Sequence, residues 1–398
     1  MNVQINSNDC NDLNSSVNIE IIDTLNGLSN YHYTQCDNSS SSELKQYRGI
    51  IKSSNGDIVC RSFGYTPEVN ETDEEGMKTI VEPFLSQSCE ALVSYEATLL
   101  RVFYFEDRWY VSTCRKIDAF KSKWGGSKSF GELFADCITS TSWADEDAES
   151  KIQSHCNEKL NKDKIYCYVL RTYDENRIVC TGFSEPLLYM VGNFDKQGNF
   201  DMSECTVSVV ATPTKLDELK ETMSHLDHTK EQGIILINSK GECVKVMKKE
   251  YVEAFNLRGN QPNVLLRYIE LQQKGEPEKV QKFFEMYPEH RDLIIQFTDV
   301  MDDICLHIFR KYHKRFIKKE VAIVPPDMYY VIRELHDGFL KDRTNIVTPE
   351  RVISHVHTLQ PLRLLSLFNS YNKRKAEFGN GNKLSKEFLD KVKGMIIN

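Results

Sequence analysis

Two local groupings in this chain combine residue types and spacings that suit chemistry. Arg310-Lys311-Tyr312-His313-Lys314-Arg315-Phe316-Ile317-Lys318-Lys319 is the densest basic run. At helical spacing Lys311, Lys314, Arg315 and Lys318 share one face, and Ile308, Tyr312 and Phe316 share another. The basic face suits RNA phosphates or an acidic partner surface; plain solvation is the competing reading. Its apolar stripe is needed by a helical core, so the segment does not read as an autonomous membrane helix. Between Lys116 and Lys128, lysines interleave with Phe120 and Trp124. A base can stack on an indole in such a loop, or both rings can pack into the core while the lysines stay in water. Gly125-Gly126-Ser127-Lys128 is not a phosphate-cradling loop, because the Gly-x-x-x-x-Gly-Lys frame is absent. His225 and His228 have no further ligands at metal spacing and read as surface histidines, so no metal site is expected.

These groupings sit in an ordinary globular background. The 398 residues allow two domains, with apolar and charged fractions typical of such proteins. No run of about 18 apolar residues occurs, so no membrane span is expected. The polar N-terminus lacks the apolar core of a signal peptide. Twelve cysteines include no Cys-x-x-Cys pair and read as reduced, mostly buried thiols in a cytoplasmic, reducing setting. The net charge of −8 is unevenly spread: from Pro262 onward there are 23 Lys and Arg against 18 Asp and Glu, leaving 27 against 40 before it. An acidic body with a mildly basic tail excludes whole-surface nucleic-acid binding and leaves room for a local phosphate-facing patch.

The elements that must position these residues change character along the chain. Residues 1–42, rich in Asn, Ser and Asp, read as a flexible polar extension, with Ile19 to Ile22 able to form a short strand or helical turn. Residues 43–260 alternate short β-branched and aromatic runs with turns. Hairpins are predicted around Ser54-Asn55-Gly56, Glu106-Asp107, Asp174-Glu175-Asn176 (pairing Ile165–Leu170 with Arg177–Thr181) and Ser239-Lys240-Gly241. Helices are predicted near Asp147–Leu160 and Lys215–His225. Residues 261–398 take helical periodicity, with Leu293, Phe297, Met301, Ile304, Ile308 and Tyr312 on one stripe. Further helices are predicted over Pro326–Leu340, Thr348–Thr358, Leu362–Phe368 and Ser385–Met395. The fold class is α+β: antiparallel sheets followed by an all-helical C-terminal domain.

Five segments then occur in order: Tyr47-Arg48-Gly49-Ile50-Ile51 with Cys60-Arg61-Ser62-Phe63-Gly64; Val93 to Arg101; Ser112-Thr113-Cys114-Arg115-Lys116; Tyr168-Val169-Leu170 to Asn176-Arg177-Ile178-Val179; and Glu231-Gln232-Gly233-Ile234-Ile235 with Val244-Lys245-Val246-Met247-Lys248. Together they resemble the phage-type RNA ligases of the covalent nucleotidyltransferase superfamily and related copies in large DNA viruses, over about residues 47–251. The resemblance implies a nucleotidyltransferase domain with ATP-grasp-like antiparallel sheets and an ATP pocket between them. In that family a lysine is adenylylated, carboxylates hold metal, and two late lysines bind the alpha-phosphate. The helical tail resembles, more weakly, the family's RNA-contacting C-terminal domain.

Carried over position by position, most of that machinery is replaced. Ser94 stands at the lysine nucleophile and Ala97 at the glycine that admits the nucleotide, while Glu96 is a fair match to the motif acid. Leu170 and Gln232 stand at two carboxylates, with Glu231 adjacent to the second. Lys245 matches one phosphate lysine; Met247 stands at the other, with Lys248 next to it. A serine cannot replace the amine without a different base. Loss of the carboxylates removes the hard oxygen ligands that Mg²⁺ prefers. Loss of one phosphate lysine costs about 2–4 kcal/mol of transition-state stabilisation, by analogy with an oxyanion donor. Lys78 and Lys116 are the alternative nucleophiles, but neither is followed by Asp or Glu and Gly at the needed spacing. Arg48, Arg61, Glu96, Arg115, Lys116, Lys245 and Lys248 remain as candidate nucleotide or phosphate contacts, with pairing to acids as the competing reading; Arg177 reads as structural.

The expected function is therefore a catalytically inactive RNA ligase-like binding or structural module, of the kind a large DNA virus could carry in its virion or replication factory. RNA or other viral proteins are the expected partners and no cofactor is expected. The alternatives are an active ATP- and Mg²⁺-dependent RNA ligase and a non-covalent nucleotide or RNA-end binder.

Overall fold

The computed structural model describes residues 18–138, 146–172, 177–181 and 185–378. They form two compact units, Met1–Asn256 and Leu257–Asn398.

In the first unit, β1 (Ile19–Leu25), β2 (Leu28–Tyr33), β3 (Arg48–Ser53) and β4 (Ile58–Cys60) make an antiparallel sheet in sequence order. Two of these strands fall in the stretch expected to be an extension. The reason is local: Leu25 pairs with Leu28 across Asn26-Gly27, whose φ angles are 49° and 73°, the left-handed pair that a tight two-residue hairpin requires.

The remaining strands are β5 (Glu68–Asn70), β6 (Cys89–Ser94), β7 (Thr98–Phe105), β8 (Arg108–Thr113), β9 (Lys164–Arg171), β10 (Leu187–Asp195), β11 (Phe200–Asp201), β12 (Val209–Ala211), β13 (Gly233–Asn238) and β14 (Cys243–Met247). They build two five-stranded sheets, β11-β10-β9-β7-β8 and β12-β6-β13-β14-β5. Pairing is antiparallel except between β14 and β5. Three of the predicted hairpins form. The fourth does not: β9 pairs with β10, from Leu187–Arg171 to Asp195–Lys164. The residues of the predicted turn, 174–176, lie outside the described residues. Arg177–Thr181 is not a strand because the amides of Ile178, Val179 and Cys180 already donate to the Glu96 carboxylate.

Alternation along the strands divides three cores. Leu28 and Ile51, Phe103 and Cys167, and Leu92 and Ile237 bring all three sheets into one core. The opposite face of β7 and β9, with Leu100, Tyr168 and Leu170, packs against helices Phe130–Cys137 and Ala148–Lys159. The opposite face of β13 and β14, with Ile234, Leu236 and Val246, is covered by the helical stretch 74–85 and by helix Leu216–Ser224.

The second unit is helical: Val264–Gln273, Pro277–Met286, Arg291–Tyr312, Pro326–Lys341, Pro349–His357 and Pro361–Phe378. Ile304, Ile308, Val331, Val352 and Leu367 are among the residues of its continuous core. The last of these helices runs ten residues past the predicted end at Phe368. The helix predicted over Ser385–Met395 lies outside the described residues. No described helix is long and apolar enough to cross a membrane.

Candidate functional site

Antiparallel pairing sets Gly233 opposite Ser94 on one side and Met247 on the other. Gly233 has φ +151°, and a Cβ there would sit 2.1 Å from the Val246 carbonyl oxygen, so only glycine permits this approach of strands. Ser94 is buried, and its hydroxyl donates to Gln232 Oε1 at 3.4 Å. Gln232 Nε2 donates to the Tyr251 hydroxyl at 2.7 Å, and that hydroxyl donates to Glu96 Oε2 at 3.1 Å. The Glu96 carboxylate also accepts the Ile178 amide, the Val179 amide at 2.8 Å and the Cys180 amide at 3.2 Å. Burial, reinforced by the adjacent Glu96 charge, pushes the Tyr251 hydroxyl far above its usual range, so it serves as a neutral donor.

This chain of hydrogen bonds is closed. The serine faces an amide, which cannot act as a base, so its hydroxyl is not activated as a nucleophile. Glu96 spends its oxygens on three amides and a phenol. With an amide at 232 and no carboxylate on β9 beside it, the donors at this end do not fit a Mg²⁺ site, which takes hard oxygen ligands.

Leu170 requires a correction of register. It is fully buried in the core beneath the two helices and does not face the space between the sheets. In a strand the neighbours of such a residue face the other way. On β9 they are Val169 and Arg171, so neither position carries a carboxylate. Arg171 lies 4.5 Å over the Tyr95 ring and donates to the Lys230 carbonyl at 3.0 Å; Tyr95 stacks on Tyr189 with 5.0 Å between centroids. Sequence reasoning missed Tyr251, Arg171 and this aromatic pair. Strict alternation from Ile165 would have placed Arg171; nothing local marks Tyr251.

The cations expected around a phosphate mostly have protein partners. Lys248 is buried and donates to the carbonyls of Met223 (3.0 Å) and Leu226 (2.9 Å) at the C-terminal end of helix Leu216–Ser224. It caps that helix, and so is not placed as a phosphate contact. Lys245 pairs with Glu68 at 3.3 Å and Lys116 with Asp23 at 3.3 Å. Arg48 donates to the Gly64 carbonyl at 3.3 Å and to Thr66 Oγ1 at 3.2 Å. Arg115 is exposed. Burial lowers the pKa of His32, and the Arg115 and Arg48 charges push it the same way. Ala97 is exposed and Met247 is half-buried beside Gly233. Arg177 is buried and donates to the Val179 carbonyl at 3.3 Å.

Arg61 stands apart. It packs on the turn between β10 and β11, where a Cβ on Gly198 would lie 2.4 Å from its Nη1. That turn is at the far end of β10 from Leu188, the residue paired with Leu170. The structure therefore separates Arg61 from the Ser94 end.

The other sequence candidates resolve as follows. Phe120 and Trp124 pack against the helix-side core, and Lys128 pairs with Asp136 at 2.8 Å. His225 is exposed, and no metal-binding group of His, Cys, Asp or Glu occurs among the described residues. In the basic run, Lys311 lies in the last turn of helix Arg291–Tyr312. Lys314 and Arg315 lie in a wider turn, His313–Ile317, where the Lys318 amide bonds to the His313 carbonyl. Lys314 pairs with Glu320 at 3.6 Å and Arg315 lies 5.6 Å from the Tyr329 ring, while Lys318 is exposed.

With its antiparallel sheets and its helical C-terminal unit, the chain is similar to ATP-dependent nucleic-acid ligases of known structure. A putative ATP-dependent DNA ligase from Aquifex aeolicus superposes with a TM-score of 0.41 at 11% identity, over 81% of this chain and 85% of that one. An archaeal ATP-dependent RNA ligase gives 0.38 at 7% identity, over 89% and 75%. Among proteins of known sequence, the chain is 27% identical over 305 residues to the immediate-early protein ICP-46 homolog of Invertebrate iridescent virus 6, covering 72% of this chain and 66% of that protein. It is 24% identical over 303 residues to the homolog in Invertebrate iridescent virus 3, covering 74% and 65%, and 26% identical over 272 residues to immediate-early protein ICP-46 of Frog virus 3 (isolate Goorha), covering 64% and 65%. The matched region thus spans about two thirds of these relatives' length. No protein-family model matches the chain.

Proposed function

We propose that this chain is a catalytically inactive, RNA ligase-like protein that works as a binding or structural module in a large DNA virus. The observation that carries the reading is the closed hydrogen-bond chain Ser94–Gln232–Tyr251–Glu96. It occupies the position where the resemblance expects an attacking lysine and metal-holding carboxylates, and it offers neither an amine nor an uncommitted carboxylate. The pairing of Lys116, Lys245 and Lys248 within the protein favours scaffold over phosphate binding at this end. The iridescent virus and Frog virus 3 relatives support a viral setting; a replication factory or virion within a reducing compartment is the proposed location. RNA or another viral protein is the proposed partner.

The test is incubation with alpha-labelled ATP or GTP and Mg²⁺ or Mn²⁺, followed by a denaturing gel, with a phage RNA ligase run alongside. The expected result is a labelled band for the phage enzyme and none for this chain. A band that survives denaturation would show a covalent nucleotidyl-enzyme, and this reading would fall to an active ligase.

A further inference from the structure

The end of the β13–β14 hairpin away from Ser94 opens into a cleft of about 630 Å³. Ile237, beside Cys243, lies four positions along the strand from Gly233, beside Ser94, a run of roughly 13 Å. The cleft is therefore a different place from the closed network. Its volume lies within the range usual for small-molecule sites.

Its lining divides by chemistry. Phe84, Phe194 and Ile80 give it an apolar wall. Lys45, Arg61 and Lys240 bring three positive charges, against one carboxylate, Glu242. That carboxylate is already engaged by Asn238 Nδ2 at 2.7 Å. A cationic lining is notable in this half of the chain, where acids outnumber bases 40 to 27 before Pro262. Arg61 is half-buried, so part of its side chain stays open to the cleft. The guanidinium lies against the Gly198 turn, which fixes it at the cleft. A guanidinium with an ammonium beside the same cleft matches the charge of a phosphate group.

We propose that this cleft binds a small phosphomonoester, its phosphate held by Arg61 with Lys240 at the rim, and its apolar body against Phe84 and Phe194. The site stands apart from the Ser94 end, so it does not depend on whether adenylyl transfer occurs there.

Calorimetric titration of the full chain with inorganic phosphate, phenyl phosphate and phenol tests it. Phenyl phosphate is expected to bind more tightly than inorganic phosphate, and phenol not at all. Arg61→Gln is expected to weaken phenyl phosphate binding by about tenfold or more, the scale of one lost charge-assisted hydrogen bond. Lys240→Gln, on an exposed turn where it cannot disturb folding, is expected to weaken it by a smaller factor, and Lys245→Gln to leave it unchanged. The proposal is overturned if the native chain binds neither phosphate, if phenol competes as well as phenyl phosphate, or if neither Arg61→Gln nor Lys240→Gln alters the affinity.

Discussion

The two ends of the β13–β14 hairpin carry similar residue types and are built in opposite ways. At the Ser94 end the polar groups of the network are tied to one another: serine to glutamine, glutamine to tyrosine, tyrosine and three amides to Glu96, Lys248 to helix-end carbonyls. At the other end Arg61 and Lys240 line an open cleft. A lysine or a glutamate therefore says little about binding by its type alone. What decides is whether the fold has already used its hydrogen-bonding capacity, because a satisfied group gains little from a ligand and an unsatisfied one gains much. Our account places structure at the first end and recognition at the second.

The largest expected effect comes from placing an acid at position 170, where the resemblance expects one. Leu170→Glu buries a carboxylate among Leu100, Tyr168 and Phe134, beneath two helices. It is expected to cost about 4 kcal/mol or more, because a buried unpaired charge adds to the lost packing. Urea unfolding followed by circular dichroism measures it. An unchanged midpoint would mean that this side chain faces the gap between the sheets, and the comparison of the two ends would need a new register.

A smaller effect separates two lysines that the sequence treats as near equivalents. Lys248→Met removes two charged hydrogen bonds to buried carbonyls and is expected to cost about 2 kcal/mol. Lys245→Met loses only a pair to Glu68, whose side chain is 60% exposed, and is expected to cost less than about 0.5 kcal/mol. The same unfolding experiment reads both. Equal costs would blur the distinction between a lysine committed to the fold and one at its surface.

Much of this architecture was legible in the sequence, for reasons that differ by element. The hairpins at Ser54-Asn55-Gly56 and Ser239-Lys240-Gly241 were clear because turn residues interrupt β-branched runs. The helical unit was clear because its apolar period is sustained over the 22 residues of Arg291–Tyr312. The Asn26-Gly27 hairpin was overlooked because a polar, serine-rich neighbourhood masked a two-residue turn. The β9–β10 pairing was not legible, since its partner lies beyond a segment whose amides are tied to a distant carboxylate. At the candidate site, the types standing at positions 94, 96 and 232 could be read from the sequence. The use to which Glu96, Lys248 and Arg61 are put could not, because their partners are far away in sequence: Glu96 and Tyr251, for example, are 155 positions apart.

The most direct test of the claim that the Ser94 end is structural is the stability of Glu96→Gln. The substitution keeps the side chain's shape but turns an NH₂ toward backbone amides that now donate to a carboxylate. Measured as a urea midpoint at constant slope, it is predicted to cost about 3 kcal/mol, the loss of several charge-assisted hydrogen bonds in a buried setting. A midpoint that is unchanged or raised would contradict the account, since residues kept for chemistry are commonly dispensable or even costly for folding, and Glu96 would then belong to a working site.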